Sequence, residues 1–175
     1  MMIKITPPLP QEYPDYFDRY IKEVKGNDLI ESLLTIHQQT KDALKNVSEE
    51  QLNYRYAPGK WTIKEIIGHV IDCERVFTYR ALQFARNDNT PLASFEENDW
   101  AAASNAGERS IDDLMNEFDA MRESTLFLFK SFSENMINRK GITGKVEISV
   151  KGIGYSIAGH ELHHTEIIKE RYLKS

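Results

Sequence analysis

At 175 residues, 41% of them hydrophobic and 28% charged, the chain reads as one globular domain spanning residues 1–175, not a disordered, collagen-like or low-complexity polypeptide. Its net charge is −5, and its 22 basic residues are scattered among 27 acidic ones, which leaves neither a basic stripe for nucleic acid nor a basic amphipathic helix for a membrane surface. The longest nearly uninterrupted apolar stretch, Ile66 to Ile71, is far short of the roughly 20 residues of a membrane span. Cys73, the single cysteine, forbids an internal disulfide, and no secretory leader pattern opens the chain, so the expected location is the cytoplasm and the expected partner a small-molecule substrate.

Tyr16, Phe17, Tyr20, Ile21 and Val24 already repeat at helical spacing before Gly26-Asn27 interrupts them. Asp28 and Glu31 then form a capping-box pair, and a first long helix with the stripe Ile30, Leu33, Leu34, His37 and Leu44 runs to about Lys45. After the break at Pro58-Gly59, Thr62 and Glu65 make the clearest helix start, with Trp61 and Ile66 placed as a hydrophobic staple. This second helix reaches about Arg86, turns Ile66, His69, Val70, Cys73, Phe77 and Phe84 inward, and stops at Asn87-Asp88-Asn89-Thr90-Pro91.

The connection from Asn87 to Arg109 is of a length that is usually functional or flexible; Asn98, Asp99 and Trp100 within it either fold over a site or cap a short helix. Ser110 with Asp113 opens a third helix, whose Leu114, Met115, Phe118, Met121, Leu128 and Phe132 carry one apolar face to about Ser133. From Asn138 to Gly154, four glycines and the alternating Val146, Ile148 and Val150 predict a short hairpin or extended lid. A last helix begins near Tyr155 and reaches almost to Ser175. The pattern is an all-α four-helix bundle without internal repeats.

Three of the five histidines, His160, His163 and His164, fall within five residues on that last helix; the others are His37 and His69. With His160 at zero on a helical wheel, His164 lies near ~40°, Ile157 near ~60° and Ile168 near ~80°, while His163 comes out near ~−60°, toward the edge of the arc or the surface. Two imidazoles one turn apart inside a bundle are costly to bury, because each neutral ring keeps a donor and an acceptor. A metal ion removes that cost, and His69 on the facing helix can supply a third ligand, leaving the open position of a catalytic site. Hydrogen-bonded core histidines satisfy the same spacing, and the residues alone leave both readings open.

Residues 160–164 also spell H-E-x-x-H, the zinc-peptidase signature in which the glutamate activates water. Such peptidases take a third ligand downstream, but Thr165 to Ser175 contain no histidine, and Glu166 and Glu170 sit too close on the same helix to fold back. The match is read as coincidental.

Four segments carry a family resemblance: Tyr56 through His69, Phe95 through Trp100, Gly107 through Ser110, and Gly159 through Tyr172. Over about residues 28–173 the chain resembles the DinB/YfiT-like superfamily of metal-binding four-helix bundles. The resemblance implies an up-down-down-up bundle, one divalent ion such as zinc or nickel on His69, His160 and His164, and homodimers. It implies one of two activities: S-transfer from a low-molecular-weight thiol such as bacillithiol, mycothiol or glutathione, or metal-dependent hydrolysis of an unassigned substrate.

The leading expectation is the thiol transferase, in which metal coordination deprotonates a thiol for attack on an electrophile. The alternative is a hydrolase that activates water, and a third reading is a non-catalytic bundle; three ligands rather than four speak against a purely structural ion. Cys73, one turn beyond His69, reads as a buried inert thiol more readily than as a fourth ligand. Arg80, roughly three turns beyond His69 on the same side, holds either a substrate carboxylate or a structural salt bridge. His37 is expected as a hydrogen-bonded core residue, and Glu161, offset from the pair, as a carboxylate that orients a ligand imidazole from behind.

Overall fold

The computed structural model describes residues 3–88, 90–144 and 146–173; Asn89, part of the helix stop read from the sequence, lies outside them. In chain order its helices are α1 (Asp18–Ile21), α2 (Leu29–Leu44), α3 (Glu49–Leu52), α4 (Ile63–Ala85), α5 (Glu97–Ala103), α6 (Ile111–Lys130), α7 (Glu134–Ile137) and α8 (Val150–Arg171). Strands β1 (Lys140–Thr143) and β2 (Val146–Ser149) form an antiparallel hairpin immediately before α8.

Side-chain caps fix the start of each long helix. Asp28 accepts from the N–H groups of Ile30 and Glu31, Ser110 from that of Asp113, and Ser149 from that of Gly152. Thr62 and Glu65 close the first turn of α4 reciprocally. At the other end of α4, Asn87 adopts the left-handed conformation (φ 60°) that ends the helix.

Two helix boundaries differ from the sequence reading. The last helix starts at Val150, not near Tyr155, because Gly152 and Gly154 lie inside it, where neighbouring atoms crowd the Cβ position. A Cβ on Gly154 would meet the Leu29 side chain at 2.4 Å. The third long helix ends at Lys130, and Ser133 caps the separate turn of α7. The long connection is not loose: α5 packs on α4 within it. On α2 the inward face is Leu29, Leu33, Ile36, His37, Thr40 and Leu44, while Leu34 is 50% exposed, because the 33-37-40-44 spacing sets the centre of the stripe.

Contacts at the ends of the helices give their directions. Leu29, Phe129 and Gly154 meet at the hairpin end, so α2 and α8 start where α6 finishes. Tyr172 donates its hydroxyl to the Trp61 carbonyl, and Gly68 lies against Ala106, so at the opposite end α4 and α6 begin where α8 finishes. The order is up-down-down-up. Because α4 and α6 run parallel, the chain between them must return along the bundle, which accounts for the length of that connection. No described helix is long and apolar enough to cross a membrane.

The apolar core is divided. One cluster, around Leu29, Leu33, Phe84, Phe129, Val150 and Ile153, fills the hairpin end, and a second, around Ile63, Ile67, Leu114, Phe118 and Ile168, fills the other. Between them lies a buried polar layer to which all four long helices contribute: His37 and Thr40 from α2, Glu74 from α4, Arg122 and Thr125 from α6, and Glu161 and Thr165 from α8. Arg122 donates to both carboxylate oxygens of Glu74 at 3.0 and 2.7 Å, to Glu161 at 2.7 Å and to the Leu33 carbonyl at 2.7 Å.

Candidate metal centre

The same layer brings three histidines together on its other side. His160 and His164 stand one turn apart on α8, and His69 projects from α4, which packs antiparallel against it. The Nε2 of His160 lies 3.2 Å from the Nε2 of His69 and 3.2 Å from that of His164. One ligand atom from each ring lies within 4.8 Å of the other two, and among the described residues this is the group that meets that condition.

A metal ion fits these donors. Hydrogen bonding alone leaves them unsatisfied: His160 Nε2 has either one lone pair or one hydrogen, and so can complete only one of its two contacts. His164 Nδ1 is buried without a protein partner. Tetrahedral coordination at about 2.0–2.1 Å places ligand nitrogens about 3.3–3.4 Å apart, close to the spacing found here. Burial drives the His69 pKa down to about 4; burial and the neighbouring rings push His160 and His164 well below the usual histidine range. All three rings are therefore neutral at pH 7, the form that binds metal.

The surroundings are aromatic. The Trp61 ring centroid is 4.6 Å from that of His69, so Trp61 shields a ligand ring in addition to preceding the capping residue. Tyr20 of α1 stands edge-on to His160 at 5.5 Å and to His163 at 5.3 Å, and Phe77 faces His160 at 6.1 Å. Gly159 makes this arrangement possible, because the Tyr20 carbonyl oxygen would lie 2.2 Å from a Cβ there. Gly159→Ala is expected to push α1 away from α8 and cost about 1–3 kcal/mol, measured by urea denaturation.

Two cavities reach the cluster. One, of about 190 Å³, is lined by Trp61, Tyr56, Asn98, Tyr172 and His164; the other, of about 320 Å³, by Tyr20, Cys73, Phe77, Arg80, Glu97 and His160. The first turn of α5 borders both, Asn98 on one side and Glu97 on the other.

The remaining residues singled out from the sequence fall in distinct places. Cys73 Sγ is 3.6 Å from His69 Nε2 but outside the converging ligand group, and burial lifts its thiol to about 12, so it is protonated at neutral pH. His163 is half-buried against Tyr20 and takes no part in the cluster. His37 sits between Asp119 at 2.7 Å and Glu161 at 3.2 Å. Glu161 does orient an imidazole, but that of His37, and it faces Arg122 and Thr40 instead of the metal ligands. Burial raises the Glu161 pKa, and the Arg122 guanidinium with its other partners outweighs this and holds it low. A carboxylate held in that way is no base for a peptidase. Among the described residues Arg80 forms no salt bridge, and it donates to the Ala93 carbonyl at 3.3 Å. Sequence reasoning missed Arg122, Glu74 and Glu97.

Residues 33–168 match the model of the DinB superfamily, which is most of the chain. The chain belongs to the DinB superfamily. Among DinB-like relatives, a protein of Geobacillus kaustophilus named "putative metal-dependent hydrolase" is 26% identical over 129 residues, 71% of each chain. Another with that name, from Oceanobacillus iheyensis, is 24% identical over 155 residues, 85% of this chain and 87% of its own. In structure, this DinB protein resembles YfiT from Bacillus subtilis, described as a probable metal-dependent hydrolase with an unusual four-helix bundle topology. Its TM-score is 0.71 at 17% identity, over 84% of this chain and 87% of YfiT. The mycothiol-dependent maleylpyruvate isomerase shares the fold at a TM-score of 0.66 and 14% identity, over 79% of this chain and 58% of that one.

Proposed function

We propose that this DinB-superfamily protein is a metal-dependent hydrolase of a small-molecule substrate, with its divalent ion held by His69, His160 and His164. The observation that carries this reading is the convergence of three imidazoles from two helices, without a fourth protein ligand in the group among the described residues. The names of the relatives support it. An all-imidazole set suits zinc or nickel. When bound, such an ion supplies a Lewis acid and lowers the pKa of water that reaches it.

The chain supplies the other requirements of hydrolysis. Glu97 is the one carboxylate among the described residues lining the two cavities, and its side chain is the group available to take a proton from water. Burial lifts the Tyr20 phenol to about 12, so beside His160 it stays a hydrogen-bond donor at neutral pH. Phe77 and Trp61 limit bulk water at the cluster. Transfer of a low-molecular-weight thiol is a second reading, favoured by one observation: separate cavities touch His164 and His160, giving room for two reactants.

The test is to assay zinc- and nickel-loaded protein against a panel of esters, amides and alkylating electrophiles, with and without cysteine or glutathione. Thiol-independent turnover, lowered at least about 100-fold in Glu97→Gln, is the expected result. Consumption that requires both thiol and metal would replace hydrolysis with transfer. Absence of metal-dependent turnover under either condition would overturn the enzymatic reading.

A further inference from the structure

Arg80 is placed unlike the arginines that hold this bundle together through ion pairs. Arg75, Arg109 and Arg122 each pair with two carboxylates. Arg80 is half-buried, has no carboxylate within ion-pair distance among the described residues, and lies near the Phe77 ring at 5.9 Å. Its Cα is about 10 Å along the α4 axis from that of Cys73, and helical side chains lean back toward the helix N-terminus, here toward the metal cluster. Arg80 thus enters the cavity that His160 and Cys73 also line.

A guanidinium removed from water without a counterion is costly. Burial pulls the Arg80 pKa down, and no carboxylate offsets it. Arg19 adds a second cation at the same mouth: it lies over the rings of Tyr16 and Tyr20, both of which line the cavity, donates to the Tyr20 hydroxyl at 2.8 Å and has no carboxylate partner among the described residues. Glu97 is on the same wall but exposed, and makes no ion pair with Arg80. Its negative charge favours a singly charged ligand over a doubly charged phosphate. At about 320 Å³ the cavity lies at the lower end of the range for small-molecule sites, and Tyr20, Phe77 and Phe95 make its walls aromatic.

We propose that this cavity binds a small monocarboxylate with an apolar or aromatic body, its carboxylate on the Arg80 guanidinium and its opposite end at His160. The planar fork of arginine matches a carboxylate through paired hydrogen bonds. The proposal deepens the hydrolase reading by naming its substrate class; the binding it describes does not depend on turnover.

The test is isothermal titration calorimetry of the zinc-loaded protein with 3-phenylpropionate and with its neutral amide, metal content being measured in the same samples. The wild type is expected to bind the carboxylate at least about tenfold more tightly than the amide. In Arg80→Gln the preference falls to within about twofold, with zinc retained, while Arg80→Lys, which keeps the charge without the fork, preserves part of it. A carboxylate bound directly to zinc would keep its preference in Arg80→Gln, which overturns the proposal. Equal binding of both probes by the wild type, or no binding of the carboxylate at millimolar concentration, overturns it as well. A hydrolase without this carboxylate site, and this site without hydrolysis, give different results in the two experiments.

Discussion

Replacing Arg122 with methionine is expected to cost about 3–5 kcal/mol of stability, which for a domain of this size lowers Tm by roughly 6–20 °C. Arg122 and Glu161 are 2% and 1% exposed at their side chains, and Glu74 is buried as deeply. Methionine fills much of the same volume but leaves two carboxylates facing each other without a cation. It also removes the donor to the Leu33 carbonyl and leaves Glu74, among the described residues, the Thr125 hydroxyl alone. One arginine therefore ties together α2, α4, α6 and α8 at the level where the apolar core is interrupted. The triple variant Arg122→Met, Glu74→Gln, Glu161→Gln is expected to recover part of the loss, because it removes the unpaired charges along with the cation. Urea denaturation of the two variants beside the wild type checks both statements. A loss under about 1 kcal/mol in the single variant would mean that the layer is not holding the helices together.

The metal cluster was legible in the sequence, whereas this layer was not. His160 and His164 declare themselves by spacing on one helix, and His69 by its place on the inward stripe between Ile66 and Cys73. Arg122 carried a weaker signal. It lies four residues beyond Phe118, on the stripe that otherwise holds apolar residues, and Glu74 likewise lies four beyond Val70. Each alone resembles a residue at the edge of a face. What makes them a network is pairing across 48 and 39 residues of sequence, which periodicity cannot register.

The start of α8 was misplaced for a related reason. Glycines at 152 and 154 read as loop by propensity, and only the close approach of Leu29, Ile148 and Glu12 shows why small residues occur inside a helix there. Glu161, expected to orient a metal-ligand imidazole, instead contacts His37, Thr40 and Arg122. One residue of offset from His160 turns it by about 100°, off the ligand direction and onto His37 of α2 and Arg122 of α6.

His160→Ala is expected to abolish stable metal binding while leaving the bundle folded. His160 Nε2 is the nitrogen that approaches both other rings, so its loss leaves His69 and His164 without their common neighbour and removes one of three ligands. Loss of a ligand should weaken affinity by well over the roughly 10–100-fold seen when an outer partner of a ligand is removed. After dialysis, elemental analysis should find about one divalent ion per wild-type chain and essentially none per variant chain. The fold does not depend on the ion in the way a zinc finger does, because two apolar clusters and the Arg122 layer hold the helices independently of the histidines. Chelation should therefore lower the Tm of the wild type through loss of ligand stabilisation without unfolding it, and should leave the Tm of His160→Ala unchanged. A wild-type Tm indifferent to chelator, together with equal metal content in both proteins, would mean that the three imidazoles meet as core residues and not as ligands.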